Sequence, residues 1–445
     1  MSVWKNTINL ICMSVIVSAC VTVGNSKSTE GPKNVIIMIG DGMGFSQLDA
    51  ASIYAYGTPK KQPYWAYQSL AMSTYSESTG EAYDPQQAWA SFDYHLHTPT
   101  DSAASATALS TGVKTLNGRI GMDAAEKPLR HLIEDAEEMG KATGVLTTVY
   151  LSHATPAAFT SHAPSRKDSE AIAQEIINES ALDLLIGAGH PWYDDDHQKK
   201  AEASYGKVGG ETLWKSIETG TAGADADGDG IADPWTMLDN FTGFDTKTGA
   251  ALPKRLLGVL PVNTTLQFNR GGDEKADAYS VPRTKNLPDM ATLMRGALNF
   301  LSRDTHGFFL MAEGGAIDWA GHDNLPGRLI EEQRDFDQAI EAVATWVEAN
   351  SSWDDTLLII TADHETGYLY GKGSNPTWEA LQNHGAGKMP DTQWHTHEHT
   401  NQLVPLFAKG NGAEELLKHI KGEDPRRGSY VDNTDISKVI RSIWR

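Results

Sequence analysis

Short apolar runs alternate with longer stretches whose apolar residues return every three or four positions, and the alternation continues from residue 33 to the C-terminus. The runs predict strands at Val35–Ile39, Val145–Val149, Phe308–Ala312, Leu357–Thr361 and Val404–Ala408. The longer stretches predict helices at Leu129–Met139, Lys167–Ile177, Met290–Leu301, Leu329–Val347 and Ile436–Trp444. Such alternation argues for an α/β fold, a three-layer α/β/α sandwich around a large, mainly parallel central sheet. Polar, acidic or His-rich clusters follow several of the strands directly, and in open α/β sheets that edge binds ligands. Between about 189 and 282 the periodicity fades into irregular sequence rich in Gly, Asp and Trp, which reads as an insertion.

The first segment departs from this pattern. Residues 1–19 carry Lys5 and then an apolar run from Ile8 to Val17, the layout of a secretory signal peptide and too short to span a membrane as a helix. The run ends Val17-Ser18-Ala19-Cys20, which resembles a bacterial lipoprotein signal with Cys20 as the lipid anchor; the alternative is an ordinary cleaved signal with an incidental cysteine. Either reading predicts export, to the periplasm or cell envelope. Residues 20–32 read as a flexible tether of small and polar residues, leaving 33–445 as the folded body.

Composition narrows the chemistry. The chain has 445 residues, 40% hydrophobic and 21% charged, as expected of a globular protein, with 37 Lys plus Arg against 58 Asp plus Glu. A formal charge of −21 repels nucleic acid and anionic membranes over most of the surface, so an anionic ligand requires a local reversal of sign. The only cysteines are Cys12 and Cys20, so the body contains no disulfide and no thiolate metal ligand. Any metal there is held by His, Asp, Glu and hydroxyls.

Candidate ligands lie where the strands end. Gly40-Asp41-Gly42-Met43-Gly44 follows the first strand and allows close approach to the backbone. The small-residue run from Thr100 to Ala108 can open a helix at Ser102, where the positive end of a helix dipole and free N–H groups suit an anion; a plain serine cap is the alternative. His153-Ala154-Thr155 offers an imidazole and a hard oxygen, and Arg166 offers a planar fork for phosphate. Glu313, Asp318 and His322 lie within ten residues, with Asp318 and His322 spaced to share one helix face. Asp363 and His364 follow the next strand, and His395, His397 and His399 precede the last. Carboxylates and imidazoles without cysteine, in clusters that each adjoin a strand, are what an open catalytic zinc site requires.

These residues resemble the alkaline phosphatase family, through IIMIGDGMG (36–44), TDSAASATALSTGVKTLNGRIG (100–121), HATPAA (153–158), EGGAIDWAGH (313–322), TADHETG (361–367) and HEHT (397–400), in the family's order. The resemblance implies phosphate monoester hydrolysis through a phosphoserine at a site with two zinc ions and one magnesium. It implies Ser102 as nucleophile and Arg166 as the phosphate-binding residue. Asp318, His322 and His399 match the ligands of one zinc, and Asp363 and His364 with Asp41 and the Ser102 oxygen match those of the second. Asp41, Thr155 and Glu313 match the magnesium site, while His395 and His397 receive no assignment. His153 and Trp319 stand where the enteric branch has Asp and Lys, as in marine bacterial and animal members, and an imidazole there opens the third site to zinc or cobalt. The resemblance also implies a homodimer acting on small phosphate monoesters.

One motif lies outside this set. Asp225, Asp227, Asp229 and Asp233 occupy ligand positions of a calcium loop with Gly230 at its sixth position, but Thr236 stands where the bidentate glutamate belongs. A structural calcium in the insertion is the expectation, and an acidic solvated loop the alternative. Two other functions compete: a phosphodiesterase of the same superfamily, and a catalytically dead, calcium-binding surface lipoprotein. A sulfatase is excluded, because Ser102 is followed by Ala103-Ala104-Ser105 and not by the Pro and Arg of that motif.

Overall fold

Every residue from Asn34 to Gly40 is buried, so the first apolar run is a strand covered on both faces. Such strands are continuous Val, Ile and Met runs, as NVIIMIG is, and belong in the middle of a parallel sheet. The computed structural model describes Met1 and residues 31–226, 230–238, 240–246 and 253–445. Cys12, Cys20 and the signal and tether segments up to residue 30 lie outside the described residues, Met1 apart. No helix among the described residues is long and apolar enough to cross a membrane.

The strands are β1 (Asn34–Gly40), β2 (Gln68–Ser73), β3 (Ala142–Tyr150), β4 (Leu184–Ala188), β5 (Thr236–Leu238), β6 (Leu256–Val259), β7 (Phe308–Gly314), β8 (Thr356–Thr361), β9 (Glu365–Thr366), β10 (His399–Thr400), β11 (Val404–Gly410), β12 (Gly422–Asp424) and β13 (Gly428–Asp432). Eleven form one sheet in the order β12-β13-β2-β11-β8-β1-β7-β3-β4-β6-β5, and β9 and β10 form a separate ribbon. From β8 through β1, β7, β3, β4 and β6 to β5 all neighbours are parallel. β11 runs against both β8 and β2, and β12 runs against β13. The last predicted strand is therefore antiparallel within a mainly parallel sheet.

The helices are α1 (Phe45–Tyr56), α2 (Gln87–Ala90), α3 (Ser102–Thr111), α4 (Leu132–Glu138), α5 (Ala154–Ala157), α6 (Ser169–Asn178), α7 (Glu211–Glu218), α8 (Met290–Leu301), α9 (Ala316–His322), α10 (Pro326–Asn350) and α11 (Thr434–Ile443). Neighbouring residues of β7 show the three layers. Phe308 packs on Trp346 of α10, with ring centroids 6.1 Å apart, and Phe309 packs on Trp444, just after α11, at 6.0 Å. Successive strand residues point to opposite faces, so α10 and α11 cover opposite sides. Helix α4 begins three residues later than the pattern predicts, because the Glu134 carboxylate accepts from the His131 amide and caps the helix there.

The segment from about 189 to 282 contains ordered elements. It supplies α7 and the strands β6 and β5, which extend the main sheet to its edge. Its end is fastened to α10 by buried charge. The Arg270 guanidinium donates to Gln267 O, Val281 O and Pro282 O and meets Glu331 at 2.5 Å. Arg283 binds Asp335 with two nearly parallel bonds of 2.9 and 3.1 Å.

Candidate active site

Strand register sets the site. β1 pairs Ile39 with Glu313 of β7 on one side and Thr361 of β8 on the other, and β3 pairs Thr147 with Glu313. The C-terminal ends of these strands are thus level, and Asp41, Glu313 and Asp363 converge there, all fully buried. Gly42 lets the chain turn: φ is +74°, and a Cβ would sit 2.7 Å from Asp318 Cα. No larger residue fits that position. Its amide donates to Asp363 Oδ1 at 3.1 Å.

Ser102 is the first residue of α3, and Asp101 caps that helix by accepting from Ala104 N at 3.0 Å. The small side chains of α3 let the whole helix be buried, with its N-terminus aimed into the site. Ser102 Oγ lies 3.2 Å from His364 Nε2, which is 3.3 Å from Asp363 Oδ2 and 3.5 Å from Asp41 Oδ1. The ribbon of β9 and β10 places His399 opposite Thr366. There the His399 ring stacks on His364 at 3.6 Å, and Asp318 Oδ1 lies 3.4 Å from His399 Nε2 and 3.3 Å from His322 Nε2. His153 and Thr155 begin α5 just beyond β3.

The electrostatics divide this site in two. Asp41 is held well above the ordinary carboxylate range by burial first and then by the charges of Asp363, Asp318 and Glu313. Burial also raises Glu313 to about 7 and, with Asp318 next, Asp363 to about 6. Burial would raise Asp318 as well, but the hydrogen bond and charge of His399 hold it far below the usual range. His399 rises to about 9, because the Asp318 contact outweighs burial. Burial, then Arg166, lowers His153 to about 3, leaving it a neutral imidazole.

Metal binding fits this donor set. Asp41 Oδ1 and Oδ2, Asp363 Oδ2, Glu313 Oε1, Thr155 Oγ1 and His153 Nδ1 have no hydrogen-bond partner among the described residues. Buried anionic oxygens without donors are stable only next to cations. Three donor sets each fall within 4.8 Å: Asp318 with His364 and His399, Asp41 with Asp363 and His364, and Asp41 with His153 and Glu313. A further set, His131 with Glu134 and His162, lies apart. There the His162 nitrogens are already engaged, with Glu175 at 3.0 Å and Leu129 O at 2.8 Å.

The structure brings together Asp41, Ser102, His153, Thr155, Asp318, His322, Asp363, His364 and His399 around Glu313. Arg166 lies at the rim, with Nη1 3.1 Å from Asp101 Oδ2 and Nη2 3.5 Å from His153 Nε2. Sequence reasoning missed the residues that orient these groups. Asp101 fastens Arg166, and Thr366 Oγ1 donates to Asp318 at 2.5 Å. Thr147 donates to Glu313, and Ser105 Oγ donates to Asp363 O at 2.6 Å. Asp101, Ser105 and Thr366 lie inside the quoted motifs, and that position was the available signal. His397 hydrogen-bonds the His322 carbonyl at 2.7 Å, while His395 packs edge-on to Phe92. In the acidic loop, Asp225 accepts from Gly230 N at 2.8 Å, and Asp233 accepts from Ala226 N and pairs with Lys254 at 2.7 Å. Asp227 and Asp229 lie outside the described residues.

A three-layer α/β/α fold with these clustered donors and a helix-capped serine at the strand ends defines a metal-dependent hydrolase. The sequence profile of alkaline phosphatase matches residues 32–392. Alkaline phosphatase 3 of Bacillus subtilis (strain 168) is 32% identical over 400 residues, 87% of this chain and 70% of the relative. The alkaline phosphatase from the Antarctic bacterium TAB5 is 26% identical, with a TM-score of 0.63 over 93% of this chain and 98% of that one. A variant of that enzyme with aspartate in place of a histidine, 25% identical with a TM-score of 0.62 over 93% and 98%, has magnesium bound in its M3 site. The chain belongs to the alkaline phosphatase family. It is a metalloenzyme that hydrolyses phosphate monoesters.

Proposed function

We propose that hydrolysis proceeds through a covalent phosphoserine at Ser102. The observation that carries this reading is the position of Ser102 Oγ: at the buried N-terminus of a ten-residue helix and 3.2 Å from His364, beside the unpartnered oxygens of Asp41 and the Oδ2 of Asp363. Asp318, His322 and His399 would hold one zinc; Asp363, His364, Asp41 and the Ser102 oxygen would hold the second. Asp41, Thr155 and Glu313 would hold magnesium, with His153 as a further donor that admits zinc or cobalt instead. These ions, when bound, supply Lewis acidity and neutralise charge on the phosphoryl oxygens. The free amides at the start of α3 direct the serine and a bound anion. Ser102 attacks phosphorus in line and displaces the alcohol; water then cleaves the Ser102 ester from the opposite side, releasing phosphate with net retention. Arg166, oriented by Asp101, grips two nonbridging oxygens and favours monoesters, which keep both charges, over diesters.

Ser102→Ala tests this directly. Phosphate release from p-nitrophenyl phosphate should fall by on the order of 10⁴-fold or more while bound zinc persists; unchanged turnover overturns the assignment. We further propose export, lipid attachment at Cys20 and a homodimer, which the mass of the mature N-terminus and sedimentation of the full protein test.

A further inference from the structure

Beside the metal edge lies a second concavity, of about 630 Å³, bounded by Tyr150, the start of α6 and the turn from Ser204 to Lys207. It adjoins the proposed phosphate grip through two rings. Tyr150, the last residue of β3, packs edge-on to His153 with centroids 5.0 Å apart, and His153 Nε2 is 3.5 Å from Arg166 Nη2. An ester whose phosphoryl group meets Arg166 therefore has its alcohol portion within reach of this concavity.

The lining carries two ammonium groups, Lys167 and Lys207, beside two carboxylates, Asp168 and Glu170. Lys207 Nζ sits 5.5 Å from the centre of the Tyr150 ring, and Lys167, next to Arg166 in the chain, also lines the concavity. Some lysines elsewhere are paired, as in Lys215 with Glu211 at 2.8 Å and Lys372 with Asp391 at 3.1 Å. Lys167 and Lys207 enter no ion pair among the described residues; the polar contact of the Lys207 ammonium is Asn263 Oδ1 at 3.4 Å. Asp195, which faces Lys207, is taken up by Thr264 N, Thr264 Oγ1 and Thr265 N. Asp168 and Glu170 are exposed at the mouth. In a chain of net charge −21, the Lys207 ammonium, outside any ion pair among the described residues and beside the Tyr150 ring, is the cation of this lining placed to meet an anion.

We propose that this concavity is the leaving-group subsite and that Lys207, with Lys167, makes the enzyme prefer phosphate monoesters whose alcohol portion carries a second negative charge. Tyr150 supplies the flat wall against which that portion lies. Lys207 acts here as a specificity-determining residue and takes no part in breaking the P–O bond. The proposal rests on the reading of Arg166 as the phosphate grip.

The test compares kcat/KM for 4-carboxyphenyl phosphate with that for phenyl phosphate, a pair matched in shape and differing by one carboxylate. In Lys207→Ala the ratio should fall about threefold to fivefold, the scale of one exposed charge pair. The loss should appear in KM of the carboxylated ester, Lys207→Arg should restore the ratio, and the Lys167→Ala, Lys207→Ala double variant should lower it further. Raising salt should lower the ratio in the parent enzyme and barely change it in the double variant. A ratio that stays constant in the single and double variants, including an equal loss on both esters, overturns the proposal. Failure of the underlying reading is distinct: Arg166→Ala would then leave the KM of phenyl phosphate unchanged.

Discussion

Two regions of this molecule bury several carboxylates each, and they solve the problem in opposite ways. On α10, Glu331 meets Arg270 and Asp335 meets Arg283, with side chains almost closed to solvent on three of the four partners. At the strand ends, Asp41, Asp363 and Glu313 are equally buried, yet among the described residues no Lys or Arg pairs with them. A buried carboxylate without a cation is costly, so the first region is complete as a protein structure and the second is complete only with ions. The difference separates structural charge from functional charge without reference to any relative.

Three substitutions probe that contrast. The largest expected effect is at α10, where Arg270→Met leaves three carbonyls without their donor and Glu331 with only the Tyr279 amide and Arg328 at 3.6 Å; thermal unfolding should show a loss of about 3 kcal/mol, with metal content per folded molecule retained. An unchanged Tm would place the buried pair among the silent ones. Asp363→Asn should act in the opposite sense in chelator-treated protein. Its folded pKa is raised to about 6, so the ionised form costs stability that is absent below the unfolded value and complete above the folded one. At pH 8 the metal-free Asn variant should therefore melt above the metal-free parent, whereas with metals added it should melt below. If the variant is less stable in both states, the metal edge is not frustrated as described. A third effect concerns Glu332, raised to about 8 by burial first and then by Asp335. The penalty for its charge grows as pH rises from about 4 to about 8, so Glu332→Gln should raise Tm at pH 9 and leave it nearly unchanged at pH 5.

Sequence pattern made the sheet legible where strands are long and doubly buried. β1, β3, β7 and β8 all appear as apolar runs, and α8 has the predicted bounds. Short strands such as Leu184–Ala188 and Leu256–Val259 were hidden, because Gly187 and Gly258 interrupt their apolar runs after three and two residues. Helix α1 was missed too: it follows a glycine-rich turn, and its buried Gln47 and Ser52 break the apolar stripe. The clustered donors were legible because they lie in short motifs next to strand or helix ends. Their supports were not, because the Ser105 to Asp363 contact depends on packing across 258 residues of chain, which no local pattern records.

That separation has a consequence for biosynthesis. The Gly42 amide meets Asp363 across 321 residues, and the His399 ring stacks on His364 from a further segment of the chain. A nascent chain that stops short of His399 lacks one imidazole of the cluster, so the full donor set exists only after that residue has been made. Contacts this distant in sequence also form late and slowly, since long loops must close first. The wide spacing thus works as a timing device: the donors come together only once the segments that carry them have all been made and packed.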